Sequence, residues 1–307
     1  MVIQIFSSKC MKSVGCLFGM LAVVLLTACA GLQPTTGALP VQDPASVKVP
    51  VKLGLALGGG AARGFAHIGV IQVLEEHGIK PDLVVGTSAG SLVASIYAIG
   101  KDGKMLQKIA EDMDEASITD WTLPFFNRGG VLRGDAYAKY VAVQVESKLI
   151  EQAAIPLGIV ATDLKTGHGI LFRRGDITTA VRASSAVPGV FPPVKIGSAE
   201  YVDGGLVSPV PVRFARQMGA TVVIAVDISA APEGEATDSV LQILLKTFSI
   251  MAKSINEFEI KSADVQVRPS LVGVGSSDFA AKKRSIDAGR AAMLAELTKL
   301  KALLLAQ

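Results

Sequence analysis

The chain has 307 residues, half of them hydrophobic, and a formal net charge of +3. That length and apolar content suffice for one large α/β domain with a fully buried sheet. A near-neutral balance without a basic run excludes a nucleic-acid-binding footprint, and no internal repeat is apparent.

Lys9 and Lys12, the mostly apolar run Val14 to Leu26, and the small residues before Cys29 have the three parts of an export signal. The run is about 13 residues, short of the ~20 that span a bilayer, so a transmembrane helix is the weaker reading. Leu26-Thr27-Ala28-Cys29 resembles a bacterial lipobox, which implies removal of residues 1–28 and lipid attachment at Cys29. Met11-Lys12 would open a more compact signal than Met1 does, so Met11 is the expected start. Loss of Lys9 and Lys12 leaves a charge of +1, and loss of Cys10 and Cys16 leaves no disulfide for the mature domain. Residues 29–50, with four prolines, read as the lipidated cysteine and a flexible tether before a domain spanning 51–307. Ala30, where an inner-membrane sorting signal would have Asp, resembles an outer-membrane address facing the periplasm.

Lys52 to Leu57 is a short apolar run stopped by Gly58-Gly59-Gly60, the pattern of a buried strand. Phe65, Ile68, Ile71, Val73 and Leu74 then form a helical face closed by Gly78, before a strand at Leu83 to Val85 and a helix at Ser88 to Ile99. Strand and helix in alternation predict a mostly parallel sheet covered on both faces, an α/β/α arrangement of three layers. Further strands are predicted at 157–162, 170–172 and 222–226, and helices at about 135–150, 176–184, 210–218, 238–260 and 282–305. In the segment 238–260, Val240, Leu241, Leu244, Leu245, Phe248, Met251, Ala252 and Ile255 recur at helical spacing and are read as core packing. Trp121-Thr122-Leu123-Pro124-Phe125-Phe126 is read as packing beneath a loop in preference to a lipid contact.

Gly86-x-Ser88-x-Gly90, set between a strand and a helix, has the form of a nucleophile elbow. The crowded turn needs the flanking glycines, and the helix N-terminus beside Ser88 favours negative charge. Ser91 lacks those glycines and is read as a first-turn polar residue. A base is harder to find. In a Ser, acid, His hydrolase the histidine comes last, yet His67, His77 and His168 are the only histidines. His168 sits in a hairpin turn, Thr166-Gly167-His168-Gly169, and His67 is assigned to capping or packing near the glycine loop. An aspartate can replace the histidine if it is held within reach of the hydroxyl. Asp203, at the end of a short strand and followed by Gly204 and Gly205, is the candidate, against the plainer reading of a turn. Gly58-Gly59-Gly60-Ala61-Ala62-Arg63-Gly64 could turn successive N–H groups onto an oxyanion. It matches neither a dinucleotide fingerprint, since Arg63 occupies the place of the third glycine, nor a P-loop, since no Gly-Lys-Ser/Thr follows.

These three elements in this order resemble the patatin-like phospholipase family over about residues 52–230, with Ala161-Thr162-Asp163-Leu164 and Ser184 to Pro193 similar to segments that lead to the family's acid. The resemblance implies a three-layer patatin-like fold and a Ser88–Asp203 dyad, with Ser88 as nucleophile and Asp203 as proton acceptor. It implies an oxyanion hole drawn from Gly58, Gly59, Gly60 and Arg63, with Gly59 and Gly60 the leading donors. Arg63 either assists an anionic group there or lies on a helix surface. The family's common loop has one residue fewer between the glycines and Arg63-Gly64. The expected activity is hydrolysis of fatty acyl esters of phospholipids or lysophospholipids at a membrane reached through the anchor at Cys29, with no cofactor, metal or nucleic acid. A non-catalytic scaffold lipoprotein and a small-ester hydrolase or peptidase are the alternatives.

Overall fold

Five residues of one strand show why this chain builds its sheet. In β1 (Leu53–Leu57) Leu53, Leu55 and Leu57 enter one core while Ala56 enters another, so both faces are buried. The structure, a computed structural model, describes residues 50–122, 130–229 and 237–306. The leader, Cys29 and nearly all of the tether therefore lie outside the described residues, as do Leu123 to Phe126.

The elements after β1 run α1 (Ala66–Glu76), β2 (Leu83–Thr87), α2 (Ala89–Ala98), α3 (Gly103–Asp112), α4 (Asp135–Gln144), β3 (Leu157–Asp163) and β4 (Gly169–Phe172). Then come α5 (Ile177–Ser184), β5 (Val194–Ile196), β6 (Ala199–Asp203), α6 (Val212–Gln217), β7 (Val222–Val226), α7 (Val240–Glu259), β8 (Val265–Val267) and α8 (Lys282–Leu305). The sheet order is β5-β6-β3-β2-β1-β7-β8, with β4 also paired to β3. Neighbours from β3 through β8 are parallel, whereas β4, β5 and β6 are antiparallel additions. Residues of α1, α2 and α8 fill one core, and α6 with Ile260 fills the other, which gives the predicted three layers.

Three elements were not legible in the sequence: α3, β5 and β8. The helix α3 buries only Gly103, Leu106 and Ala110 and is opened by the Asp102 side chain, which accepts from Met105 N–H at 2.8 Å. Such a narrow apolar stripe has little periodic signal. The predicted helix 135–150 stops at Gln144, because Glu146 and Ser147 take positive φ angles of 55° and 52°.

The reading of α7 as core packing holds for only part of the stripe. Its only buried residues are Ala252 and Asn256, while Val240, Leu244 and Met251 of the predicted core stripe are exposed. Helical spacing reveals an apolar arc but not how much of it a neighbour covers, and here the arc is wider than the surface beneath it. Trp121 likewise stands exposed rather than packed.

The helices α1 and α8 meet through glycines. A β-carbon on Gly69 would stand 2.0 Å from Ile286 O, and one on Gly289 would stand 1.9 Å from Ala66 O. Gly69→Ala and Gly289→Ala should each destabilise the fold by about 1–3 kcal/mol, read as a lower urea midpoint. Gly275→Ala, whose nearest neighbour would be 3.9 Å away, should melt like the parent.

Candidate active site

The strand β2 is buried throughout and ends in a sharp turn at Ser88, whose φ of 53° and ψ of −124° are costly for a residue with a β-carbon. The flanking glycines have a steric cause. A β-carbon on Gly86 would meet Gly90 O at 2.4 Å, and one on Gly90 would meet Leu57 O at 2.2 Å. Ser88 is half-buried at the head of α2, where unpaired N–H groups and the helix dipole favour an anion. Ser91 is buried and donates its hydroxyl to Ser88 O at 2.6 Å, so it belongs to the first helical turn as expected.

Asp203 reaches this turn through strand register. On β3, Val160 pairs with Thr87 and the next residue, Ala161, pairs with Asp203. Residues far apart in the chain thus leave the sheet side by side. Asp203 is 1% exposed, its Oδ1 accepts from Gly205 N–H at 2.6 Å, and its carbonyl accepts from Thr162 Oγ1 at 2.8 Å. Burial pushes the carboxyl up to about 6, while the Ser88 hydroxyl and the Gly205 N–H pull it back down. The Oδ2 atom itself has no hydrogen-bond partner among the described residues. Loose contacts of this kind are common in catalytic pairs without substrate. Gly204 has no side chain because a β-carbon there would stand 2.3 Å from Val160 O.

A residue that sequence reasoning gave no role holds the elbow. Ser184, fully buried at the end of α5, accepts from Ser88 N–H at 2.8 Å and donates to Val160 O at 2.6 Å. It bridges β3 and the turn at the point where β2 leaves the sheet. Ser184 opens the stretch that resembles a family segment, but a serine ending a helix has no pattern that shows this role.

The glycine loop is held differently from the expectation. Gly58 N–H donates to Val226 O at 3.0 Å and Gly59 N–H to Pro209 O at 2.9 Å, so neither is offered to a ligand. The pairing with β7 simply continues past the end of β1 and uses the first donors. Gly60 and Ala61 differ: among the described residues neither N–H has a backbone acceptor. Gly59 still passes close to the serine, since a β-carbon on it would lie 3.1 Å from Ser88 Cβ. Arg63 is buried in the short turn that follows, which removes the helix-surface reading.

His67 is fully buried with Nε2 2.8 Å from Gly58 O, so that nitrogen carries the proton and donates to the carbonyl. Burial lowers its pKa to about 4, and the neutral ring braces the loop in the packing role expected of it. His168 is exposed in the β3–β4 turn, and His77 is exposed at the end of α1 with Nδ1 2.8 Å from Val73 O. Among the described residues, no group of three or more His, Cys, Asp or Glu side chains is placed to hold a metal ion.

The sequence profile described as patatin-like phospholipase matches residues 55–216. An uncharacterized NTE family protein of Mycobacterium bovis is 33% identical over 232 residues, covering 75% of this chain and 63% of that protein. Patatin-like phospholipase domain-containing protein 6 of Mus musculus is 33% identical over 190 residues, covering 59% of this chain but 14% of the relative. The chain therefore spans less than two thirds of the length of these relatives. VipD from Legionella pneumophila has the same fold, with a TM-score of 0.56 at 16% identity over 81% of this chain and 67% of that one. The serine elbow, the glycine loop and most of the sheet, up to β6 with Asp203, lie inside the matched segment, and the chain belongs to the patatin-like phospholipase family.

Proposed function

We propose that this chain is a lipid acyl hydrolase that cleaves fatty acyl esters of phospholipids or lysophospholipids with Ser88 and Asp203. The observation that carries the reading is the pairing of adjacent β3 residues with Thr87 and Asp203, which sets a strained serine beside a buried carboxylate. Asp203 takes the Ser88 proton and the alkoxide attacks the ester carbonyl. The oxyanion settles against the Gly60 and Ala61 N–H groups, and water then releases the fatty acid from the acyl-enzyme. Release of the alcohol takes the proton back from Asp203, and in the second half Asp203 takes a proton from the attacking water and returns it to Ser88 Oγ as the acyl bond breaks. The lipobox at Leu26 to Cys29 supports delivery of this activity to a bacterial envelope membrane, with the outer membrane facing the periplasm as the proposed site.

Purified Ser88→Ala and Asp203→Ala proteins should each lose at least a hundredfold in hydrolysis of a phospholipid panel while keeping the parent's circular dichroism. A serine-reactive phosphonate should label the parent and not Ser88→Ala; labelling of both would reject the assignment. A scaffold lipoprotein would show no labelling at all, and a peptidase or small-ester enzyme would prefer those substrates in the same panel.

The pH dependence follows from Asp203. Only its ionised form accepts a proton, so kcat/KM should rise with pH through an apparent pKa near 6. Stability moves the other way, because the folded-state pKa of about 6 lies above the ordinary aspartate value of 3.8. Between those values the folded protein keeps a proton that the unfolded chain has lost, so stability falls as pH rises. At pH 7 the buried charge costs about 3 kcal/mol on that shift. Asp203→Asn, which keeps an acceptor for Gly205 N–H, should be inactive but more stable than the parent at pH 7, with the gain gone near pH 4. Equal urea midpoints at pH 7 would show that Asp203 is not held in a dry site.

Ser184→Ala should leave Ser88 N–H and Val160 O without their bridge, lowering kcat by about tenfold with little change in KM. Ser184→Thr, which retains the hydroxyl, should recover part of that loss. Full labelling rates in Ser184→Ala would show that the bridge does not position the nucleophile.

A further inference from the structure

The helix α7 exposes apolar side chains that nothing among the described residues covers. Val240 is 76% exposed and Phe258 78%, and Leu244 and Met251 stand on the same line of the helix, which at 100° per residue keeps the four within about 40°. Ile243 and Ile250 continue the exposed apolar surface one step around. The arc beside it, on the other flank from Ile243 and Ile250, is the one that packs. The Phe248 ring lies 3.3 Å from where a β-carbon of Gly205 would stand, and Leu241 lies 3.0 Å from the same point on Gly189. Asn256 donates to Asp227 Oδ1 at 3.3 Å, and Glu259 accepts from the Ser208 hydroxyl at 2.6 Å. Through Gly205 the helix rests on the turn that carries Asp203.

We propose that the outer arc of α7, together with Trp121, seats on a lipid bilayer whose surface is anionic, a contact independent of any anchor at Cys29. This rests on the reading of the site as a lipid hydrolase. A lipid can enter only from the face of the domain that meets the bilayer, and α7 touches the acid's turn through Phe248 and Gly205. Two observations favour lipid over a second protein. The helix and its continuation carry Lys246, Lys253 and Lys261, and Lys261 Nζ lies 5.5 Å over the exposed Phe258 ring. The tryptophan, 73% exposed, bridges to Leu132, and the adjacent Val131 donates to Gly189 O at 3.3 Å, under Leu241. An exposed indole beside an apolar helix suits a membrane–water boundary.

The test uses the full chain with Cys10, Cys16 and Cys29 replaced by Ser and with Ser88→Ala, so that neither a lipid anchor nor turnover contributes. An environment-sensitive fluorophore is placed at Met251→Cys and, as control, at Val272→Cys, which is 89% exposed on another loop. Vesicles of phosphatidylglycerol and phosphatidylethanolamine should shift the probe at 251 to the blue, and brominated lipids should quench it. The probe at 272 should do neither. An equal response at both positions, or none at 251, would overturn the proposal. So would a blue shift at 251 that grows with protein concentration without vesicles, the mark of pairing between copies. In catalytically intact protein, Leu244→Ser with Met251→Ser and Phe258→Ser should lower the ratio of vesicle phospholipid to soluble short-chain ester hydrolysis about tenfold. An unchanged ratio would also sink it. If the parent hydrolyses neither substrate, the functional reading fails while the fluorescence result stands alone.

Discussion

The register of β3 is the constraint on which the rest of the site depends. Val160 and Ala161 pair outward with Thr87 and Asp203, so the ends of β2 and β6 emerge together from opposite strand directions. A slip of one residue would turn Asp203 to the other face of the sheet and separate it from Ser88. The register is held by burial, since Leu157, Ile159, Val160 and Ala161 enter cores on both faces. Thr162 and Ser184 reinforce it by tying β3 to the acid and to the elbow.

That arrangement withdraws a carboxylate from water, which raises its pKa and makes it a stronger base than a solvated aspartate. The single N–H from Gly205 and the Ser88 hydroxyl offset part of the desolvation. A histidine is not needed for such chemistry. His67, the nearest candidate by sequence, is itself desolvated and kept neutral with its proton committed to Gly58 O. It serves the glycine loop, whose first two N–H groups are also committed, to β7 and to Pro209. The loop is thereby anchored at one end, and among the described residues the Gly60 and Ala61 N–H groups have no backbone acceptor.

On the other side of Asp203, α7 is attached by a narrow arc and left with an apolar surface. A helix of this kind is inconsistent with the usual economy of a soluble monomer, in which contiguous apolar patches are small. Its inner contacts are with Gly205, Ser208, Gly189 and Asp227, all at or near the turns that close the site. Substrate access and surface attachment would then be governed by one element.

The serine, the acid and the loop could be found in the sequence because each is short, local and punctuated by glycine. Gly86 and Gly90 are demanded by contacts within the turn or with the adjacent strand end, and Gly204 by its approach to β3, so the motif itself records the crowding. The alternation of apolar runs with helical faces also sufficed for a three-layer α/β fold, since strands buried on both faces leave a continuous apolar signature. Other features had no such mark. Ser184 acts through two hydrogen bonds to residues distant in sequence, and α3, β5 and β8 are too short or too narrowly buried to carry a period. Which N–H groups of the glycine loop are available depended on where β7 and Pro209 came to lie. The sequence by itself determined the fold class and the chemical groups, because those follow from local sterics and hydrophobic period. Only the tertiary structure decided which donors are available, which side chain braces the nucleophile and which face of α7 is uncovered, because each depends on what another segment places against it.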